Sequence, residues 1–307
     1  MNALEIKNLT KKFGDFAAVD NMSLSIAEGE IFGFLGANGA GKSTTINMIS
    51  GLLRSNEGEI LILGKNISKH RKHAKMNIGI VPQDLSIYEE LTAHENVKFF
   101  AGLYGLRGSD LNKRVEEALE FVGLSDKHKS FPKNFSGGMK RRLNIACAAH
   151  RPMLIIMDEP TVGIDPHSRN YILQSVKKLN EMGSTIIYTS HYMEEVEEIC
   201  SRIAIVDHGK IIAEGTKEEL KAIITDISIA VKSAGNADLG KLKDIKGVET
   251  VSLQDNTIKI NSDAGVSNLN EIIEHLITSG VQIRSLEEKA PNLETVFLTL
   301  TGRNLRD

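Results

Sequence analysis

The eight residues Gly36-Ala37-Asn38-Gly39-Ala40-Gly41-Lys42-Ser43 form an uninterrupted G-x-x-x-x-G-K-[ST] pattern. They follow the apolar run Ile31-Phe32-Gly33-Phe34-Leu35 and precede a segment from Lys42 through Gly51, with Ile46, Ile49 and Leu52 at helical spacing. Strand, glycine-rich turn and helix in that order make a phosphate-binding loop. Glycines let successive backbone N–H groups turn toward a polyphosphate that any Cβ would obstruct, and the helix N-terminus favours the anion. Lys42 is placed to reach the β- and γ-phosphates, and the Ser43 hydroxyl to ligate an accompanying Mg²⁺. Nucleotide binding by Gly36 through Thr44 is the first expectation.

At 307 residues the chain exceeds the length at which one hydrophobic core usually keeps growing, so two domains are expected. An apolar fraction of 41%, a charged fraction of 25% and a net charge of -3 are those of a soluble folded chain, with no electrostatic reason to bind nucleic acid. Cys147 and Cys200 lie in apolar helical contexts and read as buried thiols of a reducing compartment. No run approaches the 18 or so apolar residues of a membrane span, and Met1–Thr10 lacks a basic region followed by an apolar one. The chain is not expected to cross a membrane by itself.

Up to about Thr216 strands and helices alternate. Besides residues 31–35, strands are predicted at Leu4–Leu9, Ser23–Ile26, Ile78–Val81, Met153–Met157, Thr185–Tyr188 and Ile203–Val206. The continuous apolar runs at 153–157 and 185–188 read as buried parallel strands, flanked by helices at Tyr171–Met182 and Met193–Cys200. Residues from about 84 to 151 are almost purely helical in pattern, clearest at Asn96–Tyr104 and Asp110–Phe121, and read as a helical subdomain inserted in an α/β core.

After a helix at Lys217–Ile223 the texture changes. Strand 227–231, helix 239–245, strand 248–253, an Asp255-Asn256 turn, strand 257–260, helix 269–277 and strand 281–286 spell β-α-β-β-α-β, followed by a helix at 292–300. This predicts a small α+β ferredoxin-like domain over 223–307, behind an α/β domain over 1–222. The second domain shows no glycine-rich loop, metal-ligand cluster or carboxylate pair, so a structural or regulatory use is expected of it.

The discriminating stretch is Phe135-Ser136-Gly137-Gly138-Met139-Lys140-Arg141-Arg142, which resembles the signature sequence of ATP-binding cassette (ABC) proteins. It precedes the strand Leu154-Ile155-Ile156-Met157 ending in Asp158-Glu159-Pro160-Thr161, similar to that family's second nucleotide motif. Lys42, Ser136, Asp158 and His191 follow the family's order, and the resemblance covers essentially the whole chain. It implies a P-loop NTPase fold of ABC type, with a mixed sheet core and a helical subdomain, and ATP and Mg²⁺ as ligands.

Carried over residue by residue, the resemblance makes Phe13 the aromatic that stacks on adenine and Gln83 the glutamine contacting Mg²⁺ and the attacking water. Asp158 would hold Mg²⁺ through water, Glu159 would orient and deprotonate the hydrolytic water, and His191 would sense the γ-phosphate. Singly, an isolated Phe is more often core, a lone Gln more often solvated and a histidine after a strand more often structural, so their order and context carry the assignment. Ser136, Gly137 and Gly138 would address the nucleotide of an opposite subunit from a helix start. Gly163-Ile164-Asp165-Pro166 resembles the loop at the dimer seam, with Asp165 lining it.

Phe at 135 and Met at 139 resemble the exporter branch that includes the daunorubicin-resistance type of ATP-binding subunit, as does the tail Pro291 to Gly302. This implies an ATP-hydrolysing subunit of an exporter for drugs, antibiotics or peptides. Its partners would be a separately encoded membrane permease and a second ATPase subunit, here a homodimer, and its place the cytoplasmic face of the membrane. Residues Asp84 to Leu91, with Tyr88 exposed, resemble the surface that receives a permease helix. The basic run Lys69-His70-Arg71-Lys72-His73-Ala74-Lys75 reads as a solvated segment rather than a lipid-headgroup site. The alternative, a soluble ABC switch on ribosomes or DNA, is opposed by the single cassette, the lack of a long coiled-coil insertion and the lack of basic charge. An importer ATPase conflicts with Met139 and the tail.

Overall fold

The computed structural model describes residues 1–150, 152–224, 226–234, 239–254, 257–263, 266, 268–289 and 292–302. The expected turn at Asp255-Asn256, with Arg151 and Pro291, lies outside them. In chain order the first unit contains β1 (Asn2–Phe13), β2 (Phe16–Ala27), β3 (Ile31–Gly36), α1 (Lys42–Ile49), β4 (Glu57–Ile62), β5 (Lys65–Asn66), α2 (Arg71–Asn77) and β6 (Ile78–Val81). It continues through α3 (Ala93–Leu103), α4 (Gly108–Phe121), α5 (Gly137–Ala148), β7 (Leu154–Asp158), α6 (Pro166–Glu181), β8 (Thr185–Thr189), α7 (Met193–Ile199), β9 (Arg202–Asp207) and β10 (Lys210–Thr216).

The remainder is α8 (Lys217–Lys221), β11 (Asp226–Ala234), α9 (Leu239–Leu242), β12 (Val248–Gln254), β13 (Thr257–Asp263), α10 (Leu269–Thr278), β14 (Gln282–Lys289) and α11 (Leu293–Thr301). Two compact units result, Met1–Lys217 together with the chain from Thr301, and Glu218–Leu300. The division falls slightly ahead of the expected 222/223, after the first residue of α8.

In the first unit the main sheet has the order β10-β9-β3-β8-β7-β6. Its β9, β3, β8, β7 and β6 run parallel and β10 is antiparallel, giving the mixed sheet expected. Parallel strands covered on both faces read as unbroken apolar runs, and β3 and β8 are buried along their whole length. A second sheet, β2-β1-β4-β5, is antiparallel. Leu4, Ile6, Leu9, Met22, Leu24, Ile26, Ile60 and Ile62 of this sheet share one core with Phe32, Phe34, Ile46 and Ile156.

Expectation and structure differ at several edges. α1 stops at Ile49, Gly51 takes the left-handed conformation and Leu52 is 80% exposed, so Leu52 is not part of the helix's buried face. β4, β5 and β10 give no strand pattern in the sequence because charged, exposed positions interrupt their apolar residues. α3 begins earlier than Asn96, at the capping box in which Thr92 and Glu95 satisfy each other's backbone. α6 begins at Pro166 rather than Tyr171, with Asp165 as N-cap and proline in the first turn.

In the second unit the sheet order is β12-β13-β11-β14, antiparallel throughout. With two intervening helices this is the ferredoxin-like arrangement expected of its β-α-β-β-α-β order. Its core is Ile229, Val231, Leu242, Ile258, Ile260, Ile272, Leu276 and Val281.

Candidate nucleotide-hydrolysis site

The order β9-β3-β8-β7-β6 fixes the site, because parallel strands end at one edge of the sheet and that edge is where open α/β sheets bind ligands. The loop Gly36 to Gly41 leaves β3, Asp158 ends β7, Thr189 ends β8 and Gln83 follows β6. Strand register places Asp158 opposite Thr189 and Val81 opposite Met157. Sequence motifs 150 residues apart therefore meet as neighbouring strand ends.

The loop has the backbone its glycines permit. Gly41 sits at φ 105° as the N-cap of α1, and a Cβ there would overlap the carbonyl oxygen of Ala18 in β2. Lys42 is buried, and its Nζ donates to the carbonyls of Gly36 (2.5 Å) and Ala37 (3.2 Å). Burial lowers the Lys42 ammonium from its ordinary range, and the charges of Glu159 and Asp158 act in the opposite direction. Ala37 and Ala40 are buried, while Asn38, Gly39 and Ser43 face solvent and Thr44 is half-buried.

Asp158 and Glu159 separate into two environments. Asp158 Oδ1 accepts from the Thr189 hydroxyl at 2.7 Å, and burial raises its carboxyl above the usual range, with the hydrogen bond acting the other way. Glu159, 7% exposed, takes φ 49°, a left-handed conformation rarely adopted by residues other than glycine. That turn directs its N–H to Thr189 Oγ1 at 2.9 Å and its side chain toward His191, whose Nε2 donates to Glu159 Oε1 at 2.6 Å. One threonine hydroxyl thus orders both adjacent acids, accepting from one backbone and donating to the other carboxylate.

Ser136, Gly137, Gly138 and Asp165 form a second cluster. Ser136 is the N-cap of α5, its Oγ accepting from Met139 N–H at 3.3 Å. Asp165 caps α6 through Ser168 N–H at 2.9 Å, and that bond holds its carboxyl below the usual range. A Cβ on Gly138 would overlap Ser168 Oγ, so the second signature glycine is what lets the two helix starts pack side by side.

Gln83 is exposed, and its backbone rather than its amide is the fixed part: Arg141, buried in α5, donates to the carbonyls of Pro82 (2.6 Å) and Gln83 (2.5 Å). Phe13 is 52% exposed, pairs across the hairpin with the exposed Phe16, and carries the Lys11 ammonium 5.1 Å from its ring centroid. Cys147 and Cys200 are buried free thiols, raised by burial. Tyr88 is exposed and packs edge-on against Phe99 at 5.2 Å.

Sequence reading missed Thr189, Arg141, Thr161 and Glu195. Arg141 and Thr161 lie inside quoted motifs, and Thr189 is two residues from His191, but none belongs to a residue type that announces its partner. Ser43, Gln83 and Asp158 offer hard oxygen donors, the ligand chemistry Mg²⁺ requires. No helix among the described residues is long and apolar enough to cross a membrane.

Residues 19–162 match the family described as ABC transporter, and residues 215–301 match "ATP-binding protein DrrA1-3-like, C-terminal domain". The linearmycin resistance ATP-binding protein LnrL of Bacillus subtilis is 47% identical over 99% of this chain and 100% of its own. The Nod factor export ATP-binding protein I of Sinorhizobium fredii is 37% identical over 99% of this chain and 88% of its own. Among solved structures, an ATP-binding subunit of an ABC transporter superposes with a TM-score of 0.67 at 31% identity, covering 72% of this chain and 92% of that one. A dimeric ATP-binding cassette in a post-hydrolysis state with ADP and Pi does so at 0.63 and 31%, covering 69% and 98%.

Proposed function

The chain belongs to the ATP-binding subunits of ABC transporters, of the exporter type, and on that premise we propose how its residues divide the work. The observation that carries the reading is the bonded set Asp158, Thr189, Glu159 and His191 at one sheet edge, with Lys42 buried in the phosphate loop within electrostatic reach of both acids and Ser136 and Gly138 presented from a separate helix start. Residues 36–44 cradle the phosphates, and Lys42 exchanges its loop carbonyls for β- and γ-phosphate oxygens. Ser43, Gln83 and Asp158 would hold a Mg²⁺ ion, which when bound would supply neutralisation of the charge that develops on the nucleotide. Phe13 stacks on the adenine ring.

Glu159 orients the attacking water and accepts its proton on the carboxylate, and His191 Nε2, already bonded to that carboxylate, holds it in place while facing the γ-phosphate. Ser136, Gly137 and Gly138 complete the site of a second copy, with Asp165 at the seam, so two copies form a homodimer with two sites. Closure on ATP and reopening after hydrolysis move a separately encoded permease at the cytoplasmic face of the membrane, docked near Tyr88. Residues 1–222 carry this chemistry and 223–307 an accessory role. The cargo we propose is a hydrophobic or peptide antibiotic, a reading that rests on the family resemblance and agrees with a relative named for linearmycin resistance.

Two experiments test this. Glu159→Gln should retain ATP binding and accumulate a nucleotide-bound dimer while turnover falls by about 10²–10⁴-fold; undiminished turnover would remove Glu159 as the base. Affinity purification from detergent-solubilised membranes should bring down a polytopic membrane protein, whereas recovery with ribosomes or DNA alone would overturn the transporter role.

A further inference from the structure

Behind Glu159 and His191 lies a second carboxylate that the hydrolytic reading does not use. Glu195 of α7 is 2% exposed. Its Oε2 accepts three hydroxyls: Thr161 Oγ1 at 2.7 Å, Tyr188 Oη at 2.8 Å and Ser190 Oγ at 2.7 Å. Its Oε1 lies 3.3 Å from Nε of Arg169 on α6. A carboxylate accepts and never donates, so each of the three hydroxyls has its proton directed inward and its rotor fixed. Buried polar groups persist only with such partners, and removing one leaves the others unsatisfied.

The partners come from three segments of the site: the turn after β7, the end of β8 with the loop that follows it, and the first turn of α6. Thr161 lies two residues past Glu159, in the turn where Val162 N–H donates to the Glu159 carbonyl. Ser190 precedes His191, and its Oγ also accepts the N–H of Tyr192 at 3.0 Å, so His191 is bracketed by two residues tied to this carboxylate. Tyr188 sits in β8 beside Thr189. Arg169 is one turn along α6 from the capping Asp165, its N–H donating to the Asp165 carbonyl, and its guanidinium stacks 4.1 Å from the Tyr192 ring centroid.

We propose that Glu195 is a positioning residue that joins the dimer-seam helix to the loop carrying His191, through Arg169 on one oxygen and the Thr161, Tyr188 and Ser190 hydroxyls on the other. A shift of α6 at the seam is then felt by Ser190 and Thr161 together, which places His191 and Glu159 as one unit. The proposal rests on the assignment of Glu159 and His191 to hydrolysis and of Asp165 to the seam, and it adds the link between them.

The substitutions separate this link from mere support of the fold. In Glu195→Gln the amide oxygen can keep the hydroxyls while its nitrogen faces Arg169, and Arg169→Met removes the pair from a partly exposed position that folding tolerates. Both should lower kcat about tenfold or more with KM for ATP within about twofold, the pattern of a transition-state defect, and both should reduce cooperativity between the two sites. Arg169→Lys, which keeps the charge, should recover most of the loss. Unchanged kcat in both variants, equal loss in Arg169→Lys and Arg169→Met, or a loss of kcat matched by weaker ATP binding and a lower Tm would each overturn the link. The Glu159→Gln control separates the two levels. If it fails to trap an ATP-bound dimer, the site assignment itself falls, whereas a trapped dimer beside normal Glu195→Gln turnover removes Glu195 alone.

Discussion

The two units of this chain use similar ingredients, helices packed on a sheet, and differ in what they bury. The first unit buries Lys42, Asn96, Arg141, Asn144, His150, Glu159, Thr161 and Glu195 among its polar side chains. In the second, the buried polar side chains among the described residues are Ser262 and Asn268, which serve each other: Asn268 Nδ2 donates to Ser262 Oγ at 2.6 Å and to the Lys246 carbonyl at 2.8 Å. Burying a charge is costly unless it is paired, so charges kept inside a fold mark where chemistry is done, and a satisfied neutral pair marks where a loop is pinned. A parallel sheet collects strand ends at one edge and exposes their loops to one ligand. An antiparallel sheet of hairpin and crossover strands scatters those ends.

That contrast can be broken most directly at Lys42. Replacing it with alanine should lower turnover by about 10²–10³-fold, as removal of a preorganised electrostatic group does, with ATP affinity falling too and no loss of Tm. An ATPase assay with nucleotide titration checks it; normal turnover would mean that the buried ammonium is structural after all.

A second test uses His150, buried in the first unit against Tyr104, 5.8 Å between ring centroids. Burial, with Arg114 nearby, pushes its imidazole down to about 4. Above pH 6.5 both folded and unfolded states carry it neutral. As pH falls from there the unfolded chain takes the proton first, so stability falls with pH until the folded ring also titrates near 4, a loss of up to about 3 kcal/mol. Urea titrations between pH 7 and 4 should show this slope, and His150→Leu should flatten it.

For the second unit the expectation reverses. Asn268→Ala removes the donor that Ser262 Oγ and the Lys246 carbonyl rely on and should cost about 1–3 kcal/mol of stability with turnover unchanged. Loss of ATPase activity at constant Tm would instead give this unit a role in the reaction. The smallest effect is expected at Thr189. Thr189→Val keeps the shape of a buried strand residue but unties Glu159 N–H and Asp158, and should reduce kcat about tenfold, some 1.4 kcal/mol, leaving ATP affinity near normal.

Much of this was legible in the sequence wherever chemistry forces a residue type on a contiguous stretch. The phosphate loop needs its glycines, lysine and serine in one run, because consecutive backbone N–H groups do the binding. The pattern 36–43 therefore announced the loop, the strand before it and the helix after it. Apolar runs at 153–157 and 185–188 announced buried strands for a similarly local reason, and the β-α-β-β-α-β order of the second unit followed from alternation alone. Signature and acidic motifs fixed the family because several local patterns occurred in one order.

What only the tertiary structure decided is who meets whom. Register across the sheet set Thr189 against Asp158 and Glu159, the left-handed turn at Glu159 aimed its carboxylate at His191, and packing of α6 against α7 brought Arg169 to Glu195. Threonine, serine and tyrosine hydroxyls carry no pattern in one dimension, since each can serve as cap, strand residue or ligand. Their roles come from low-dielectric burial beside a particular carboxylate, a property of strands and helices distant in sequence brought to one edge.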